Sequence, residues 1–193
     1  MAFYHSIYFQ PRVEKDIDTM LRTLTLFALT FVTLSAQANP LSIGTPAPDF
    51  ALYNQHHERI QLSDQQGKWV VLYFYPKNDT PGCTTEACSF RDNVNKLIQK
   101  KAIILGVSLD SLDSHQAFAQ KYQLPFSLLS DPDGKVAQKY DALSDFIVFK
   151  FAKRHSFIID PSGHIAKIYR DVDPQKHVGV VLNDLTMLQQ GHN

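Results

Sequence analysis

Trp69-Val70-Val71-Leu72-Tyr73-Phe74-Tyr75 runs for seven residues without a charge, a glycine or a proline. An uninterrupted apolar and β-prone run of that length reads as a strand covered on both faces, central in its sheet. Pro76 stops it, because a proline brings no N–H to a sheet ladder. Lys77-Asn78-Asp79-Thr80-Pro81-Gly82 reads as a loop. Residues 83–100 read as helical, with Pro81 suited to a first turn. A second apolar strand follows at Ile103-Ile104-Leu105-Gly106-Val107-Ser108. Strand, helix, strand is the pattern of a parallel pair with a crossover, so the chain is expected to be an α/β protein.

Working outward, residues 49–53 and 59–62 are short strands joined by a polar run, a candidate N-terminal edge hairpin. Downstream come a helix near 113–122, a short strand at 127–129, a turn at Asp131-Pro132-Asp133-Gly134 and about two helical turns reaching Tyr140. Strands at 156–159 and 165–169 flank Asp160-Pro161-Ser162-Gly163, whose residues favour a tight turn. Residues 174–189 form a closing amphipathic helix. Residues 39–193 are thus expected to be one domain. Lys plus Arg equals Asp plus Glu at 19 each, so nothing in the bulk charge calls for a nucleic-acid partner. With 44% hydrophobic and 20% charged residues the chain can bury a core and is not expected to be disordered.

The most apolar stretch, Thr23 to Leu34, is shorter than the roughly 20 residues needed for a helix to cross a bilayer. Met20-Leu21-Arg22 precedes it and Ala36-Gln37-Ala38 follows it. Basic start, apolar middle and small-x-small end make a secretory signal over 20–38. Residues 1–19 then precede the expected start at Met20 as a misassigned upstream extension. Cleavage would remove three basic and three acidic residues, leaving the charge balance unchanged. The expected compartment is the bacterial periplasm, with an uncleaved membrane anchor as the lesser alternative and no stable membrane span after cleavage.

The chain holds two cysteines, Cys83 and Cys88. Cys83 falls at the start of the helix after the central strand, where free backbone N–H groups and the helix dipole favour an anion. Thr80, three residues earlier, can cap the helix, bond a substrate, or do both. Cys88 lies about 7.5 Å along an intact helix and about 140° around it from Cys83. A disulfide needs Cα atoms under about 7 Å apart, so the pair can join only if the first turns unwind. Two buried small hydrophobes, or a static disulfide in a non-helical loop, remain open from spacing alone. Cys-x-x-Cys, the dithiol exchange motif, is absent.

The segment Phe74-Tyr75-Pro76-Lys77-Asn78-Asp79-Thr80-Pro81-Gly82-Cys83-Thr84-Thr85-Glu86-Ala87-Cys88 resembles the active-site segment of peroxiredoxins, in particular the bacterioferritin comigratory protein or peroxiredoxin Q subfamily. The likeness continues through Phe90-Arg91-Asp92, Leu124-Pro125-Phe126 and Arg154-His155-Ser156-Phe157-Ile158-Ile159-Asp160. It implies a thioredoxin-like fold: a central mixed β-sheet flanked by helices, with an N-terminal β-hairpin. It also implies a thiol peroxidase with a peroxide substrate, a thioredoxin-like dithiol reductant, no cofactor and a monomeric state. Cys83 would be the peroxidatic cysteine and Cys88 the resolving one. Thr80 would hold the peroxide, Arg154 would favour the thiolate and charge on the departing oxygen, and Pro76 would shield the sulfenic acid. Glu86 would support the local hydrogen-bond network, and Arg91 would do the same or lie on the helix surface.

The histidines show no metal-ligand spacing, so no metal is expected. The run Phe146-Ile147-Val148-Phe149 with Phe151 is expected to pack in the core, the alternatives being a peroxide entrance or a partner surface. The rival functions are a thiol–disulfide exchanger acting on proteins and a non-enzymatic envelope module.

Overall fold

The computed structural model describes residues 41–146 and 148–191. The expected extension over 1–19 and signal over 20–38 lie outside them. Nine strands occur in the described residues, seven of them in one mixed sheet. The central strand β3 (Trp69–Phe74) leads through the helices α1 (Pro81–Asp92) and α2 (Val94–Gln99) to β4 (Ala102–Ser108), which is parallel to it. Helix α3 (Leu112–Tyr122) returns the chain to β5 (Ser127–Ser130), parallel to β4. On the other side of β3 lies β8 (Ser156–Ile159), antiparallel to it and joined in a hairpin to β9 (Ile165–Tyr169). The N-terminal hairpin of β1 (Ala51–Asn54) and β2 (Arg59–Gln61) closes the far edge against β5. The order β2-β1-β5-β4-β3-β8-β9 is the thioredoxin-like plan with an added N-terminal hairpin, as expected.

Burial follows the strand period. Trp69, Val71, Tyr73 and Tyr75 face one core with Ala87 and Phe90 of α1, Leu97 of α2, Phe118 of α3 and Leu185 of α5 (His177–Gln190). Val70, Leu72 and Phe74 face the other with Phe50, Phe157, Ile159 and Val136 of α4 (Lys135–Lys139). Alternate residues of a strand point to opposite faces, so a strand apolar at every position must be covered twice. Each fully buried side chain of this kind stabilises the fold by about 1.5–3 kcal/mol. Tyr73 pairs with Gly106 across the parallel ladder, and its ring occupies the space that a Cβ at 106 would need.

Two expectations need correction. The helix foreseen over 83–100 is two helices, because Asn93 leaves helical geometry and its side chain donates to the Ser89 carbonyl at 2.9 Å. Such a local bond offers the backbone an alternative to the helix ladder. Phe146, Val148 and Phe149 do not pack in the core, although Ala152 does. The apolar run after residue 142 forms a separate hairpin of β6 (Leu143–Asp145) and β7 (Lys150–Ala152), on which Phe146, Val148 and Phe149 are 54%, 89% and 58% exposed. Phe146, Phe149 and Phe151 stack on one another, with ring centroids 5.1–6.0 Å apart. Ile147 lies outside the described residues. The three rings thus form an aromatic cluster of their own on this hairpin.

Candidate active site

Cys83 is the third residue of α1 and is 2% exposed. The helix follows directly from the central strand through the loop after Pro76, so the covered sheet fixes where its N-terminus points. Thr80 occupies the N-cap with extended backbone, φ −85° and ψ 148°, yet its side chain caps no helix amide. Its Oγ1 instead lies 2.8 Å from Cys83 Sγ and 3.0 Å from the Lys77 carbonyl, and its one proton serves either acceptor. Arg154 comes from the segment between β7 and β8, where its Nη2 donates to Cys83 Sγ at 3.1 Å. The chain thus brings together Cys83, Thr80 and Arg154 from 71 residues of sequence separation. Gly82 makes room for this approach, since a Cβ there would sit 2.8 Å from Arg154 Nη2. Two donors aimed at one sulfur at a helix N-terminus favour negative charge on that sulfur and on an oxygen bound beside it.

Arg154 is itself held. Its Nη1 donates to Glu86 Oε2 at 3.0 Å, and Glu86 Oε1 accepts from His177 Nδ1 at 2.8 Å. The Glu86 side chain is 1% exposed, and a carboxylate so buried requires partners at both oxygens. His177 opens α5 and sits between the rings of Phe90 and Tyr169, at 5.4 and 5.6 Å. The sequence offers no local sign of this pairing. Glu86 was expected to support the network, whereas His177 was not singled out. Arg91 takes no part: it donates to the Tyr122 carbonyl and pairs with Asp92.

A second buried cluster fixes the loop. The Asn78 backbone N–H donates to Asp110 Oδ2 at 2.9 Å, and its side-chain amide donates to Ser114 Oγ and to His115 Nδ1 at 2.8 and 3.1 Å. Tyr75 Oη donates to Asn78 Oδ1 at 2.8 Å. The first turn of α3 therefore pins residues 75–78, and with them Thr80. Burial pushes the His115 pKa down, so its ring stays neutral and its Nδ1 remains an acceptor. Pro76 stands half-buried at the start of this loop.

Cys88 belongs to the same helix but to a different face. Cys83, Glu86, Ala87 and Phe90 form the buried stripe of α1, and Cys88 falls beside it, partly exposed. Both cysteines are free. The opening of α1 is weakly built: Gly82 stands second, and Thr85 Oγ1 bonds back to the Pro81 carbonyl at 2.9 Å. Glycine and back-bonding threonine both disfavour a helix, so unwinding of these turns is less costly than in an alanine-rich helix. Among the described residues no cluster of side chains is arranged to hold a metal ion, and no helix is long and apolar enough to cross a membrane.

Comparison with known proteins agrees with this geometry. The AhpC/TSA family matches residues 43–168. A putative peroxiredoxin bcp of Coxiella burnetii is 44% identical over 149 residues, covering 75% of this chain and 99% of the relative. Peroxiredoxin Bcp of Bacillus subtilis is 43% identical over 151 residues, covering 75% and 95%. The crystal structure of peroxidoxin BcpB from Mycobacterium tuberculosis superposes with a TM-score of 0.72 at 30% identity, over 76% of this chain and 97% of the other. A structure of the bacterioferritin comigratory protein of Xanthomonas campestris, described in terms of its alkyl peroxide reduction activity, gives 0.70 at 31% identity, over 77% and 97%. The similarity spans the strand, helix and arginine that meet at Cys83, and on it the chain belongs to the AhpC/TSA family, among the peroxiredoxins of the Bcp and Q type, and is a thiol peroxidase.

Proposed function

We propose that the protein reduces hydrogen peroxide and organic hydroperoxides at Cys83 and resolves the product within the same chain through Cys88. The observation that carries this is the pair of donors, Thr80 Oγ1 and Arg154 Nη2, that converge on the buried Cys83 sulfur. The Cys83 thiolate attacks one peroxide oxygen and the O–O bond breaks. The departing oxygen leaves as water or alcohol once protonated, and Cys83 becomes a sulfenic acid. Arg154 and Thr80 stabilise the charge as it moves from sulfur to that oxygen. Pro76 limits the access of water to the sulfenic acid. Cys88 then attacks the sulfenic sulfur, the S–O bond breaks, water leaves and a Cys83–Cys88 disulfide forms. An external dithiol restores both thiols by exchange. The alkyl peroxide activity named for the X. campestris relative supports the organic hydroperoxide half of this substrate class.

The expected signal over residues 20–38 supports export to the periplasm, where the reductant would be a thioredoxin-like dithiol protein supplied with electrons from across the membrane. Mass spectrometry of the mature N-terminus tests the signal itself: a start near Asn39 supports a cleaved signal, and retention of residues 20–38 removes cleavage and leaves the uncleaved anchor. Recycling by cytoplasmic thioredoxin in intact cells without export would overturn the periplasmic reductant.

The deciding experiment is a free-thiol count on reduced protein after one equivalent of hydrogen peroxide. Rapid loss of both thiols is expected in the parent, loss of one in Cys88→Ser, and no fast reaction in Cys83→Ser. If all three react no faster than an ordinary exposed cysteine, the proposal fails.

A further inference from the structure

Resolution by Cys88 requires the segment between the two cysteines to leave its helical path, and Glu86 lies inside that segment. Its carboxylate is clamped at both oxygens, by Arg154 Nη1 at 3.0 Å and by His177 Nδ1 at 2.8 Å. The two partners differ in what happens when the clamp opens. Arg154 is 22% exposed and regains water when Glu86 departs. The His177 side chain is 2% exposed, walled by Phe90 and Tyr169, and its Nε2 already lacks a partner. Once Glu86 is gone, its Nδ1–H is also left in an apolar space, which a polar group tolerates poorly.

We infer that His177 is the latch of the peroxidatic helix: a positioning residue that holds Glu86, and through it the first two turns of α1, in the form that presents Cys83 to peroxide. It must release Glu86 before Cys88 can reach the sulfenic sulfur. Because His177 is the first residue of α5, the latch joins the two helices that must part. The hydrogen bond spans 91 residues of sequence and touches none of the reacting atoms, so it acts through the position of α1. The latch sets a competition. While α1 stays folded, a second peroxide can oxidise the Cys83 sulfenic acid to sulfinic acid, the peroxide being reduced to alcohol or water. Once α1 unwinds, disulfide formation wins.

This inference rests on the peroxidase reading, and its tests separate from it. In His177→Phe the ring still fills the space between Phe90 and Tyr169 but donates nothing to Glu86. The quantity to measure, by quenched alkylation and mass spectrometry, is the peroxide concentration at which half of Cys83 ends as sulfinic acid. That concentration is expected to rise about tenfold in His177→Phe, the effect of losing one hydrogen bond to a buried charge. In His177→Asn, whose amide nitrogen takes the place of Nδ1, it should return to within about twofold of the parent. Leu185→Ala, a cavity in the same helix away from Glu86, should lower thermal stability without moving it. An unchanged value in His177→Phe, or an equal rise in Leu185→Ala, overturns the latch. Should His177→Phe not fold, hydrogen exchange on the reduced parent decides. The amides of residues 84–88 and 180–184 are expected to open together, and independent opening of the two overturns the inference. Failure of Cys83 to react with peroxide would remove the peroxidase proposal, whereas the exchange experiment would still report whether the two helix ends are coupled.

Discussion

At the scale of single residues, the site depends as much on a missing side chain as on those present. Gly82 has no Cβ, and that lets the Arg154 guanidinium come within bonding distance of Cys83 Sγ. Gly82→Ala would put a methyl 2.8 Å from Nη2, and the arginine tip, being flexible, would move instead of the backbone. Alanine is the better helix former by up to about 1 kcal/mol, but the displaced guanidinium also loosens its pair with the buried Glu86, so thermal stability should not rise. The rate of the Cys83 reaction with hydrogen peroxide should fall by about two to three orders of magnitude, as when one donor to a developing oxyanion is removed. A rate equal to the parent's would show that Arg154 need not touch the sulfur. That Thr80 and Arg154 would meet Cys83 was legible in the sequence, because Thr80 shares one short motif with it and Arg154 lies in a stretch that resembles the family. Neither His177 nor the set of Asn78, Asp110 and His115 was legible. Each is made by a tertiary contact between side chains far apart in the chain, and such a contact has no local signature.

At the scale of elements, the strands and helices were readable wherever period or turn chemistry was strong. Strand β3 is the clearest case: its unbroken apolar run foretold coverage on both faces, and its residues alternate between two cores. The break between α1 and α2 was missed because Asn93 is a modest helix former whose competing side-chain bond depends on reaching the Ser89 carbonyl. The β6–β7 hairpin was missed because hydrophobicity alone does not tell a core segment from aromatic rings stacked on the surface. Strand β4 carries a glycine in mid-strand, which signals a close approach by a neighbour. That neighbour is the Tyr73 ring, whose atoms lie 2.7–2.9 Å from where a Cβ at Gly106 would stand. Tyr73 is fully buried between Tyr75 and Phe90, at 5.4 and 4.9 Å, and has nowhere to retreat. Gly106→Ala should therefore destabilise the domain by about 1–3 kcal/mol, the usual cost of overpacking. Urea denaturation would measure it, and a midpoint like the parent's would mean that the two strands are less tightly registered than the geometry implies.

At the scale of the whole molecule, two buried histidines tie stability to pH, one on each side of the sheet. His115 lies with Tyr75 and Asn78 under the active-site loop, and its Nδ1 accepts a hydrogen bond from the Asn78 amide. His155 lies beside β8, and its Nδ1 accepts from Arg170 Nη1 at 2.6 Å. Protonation would set an N–H against an N–H in both places. Burial pushes the pKa of His115 down, while burial, then the charges of Arg170 and Lys153, push that of His155 down. In the unfolded chain both would titrate near the ordinary value of about 6.5. Between the folded and unfolded values the unfolded state binds more protons, so stability rises with pH through that window. It is fully present above about 6.5 and is lost as the pH falls toward the folded values. Asp131, whose pKa burial raises, works in the opposite sense. Unfolding free energies from urea titrations should accordingly climb as the pH rises toward about 6.5 and then level off, with a slope of up to about 1.4 kcal/mol per pH unit from His115. In His115→Gln, which cannot titrate, that part of the slope should vanish. A parent curve that stays flat across this range would mean that both rings accept their protons without disturbing the fold, and that the loop carrying Thr80 is not held by a neutral His115.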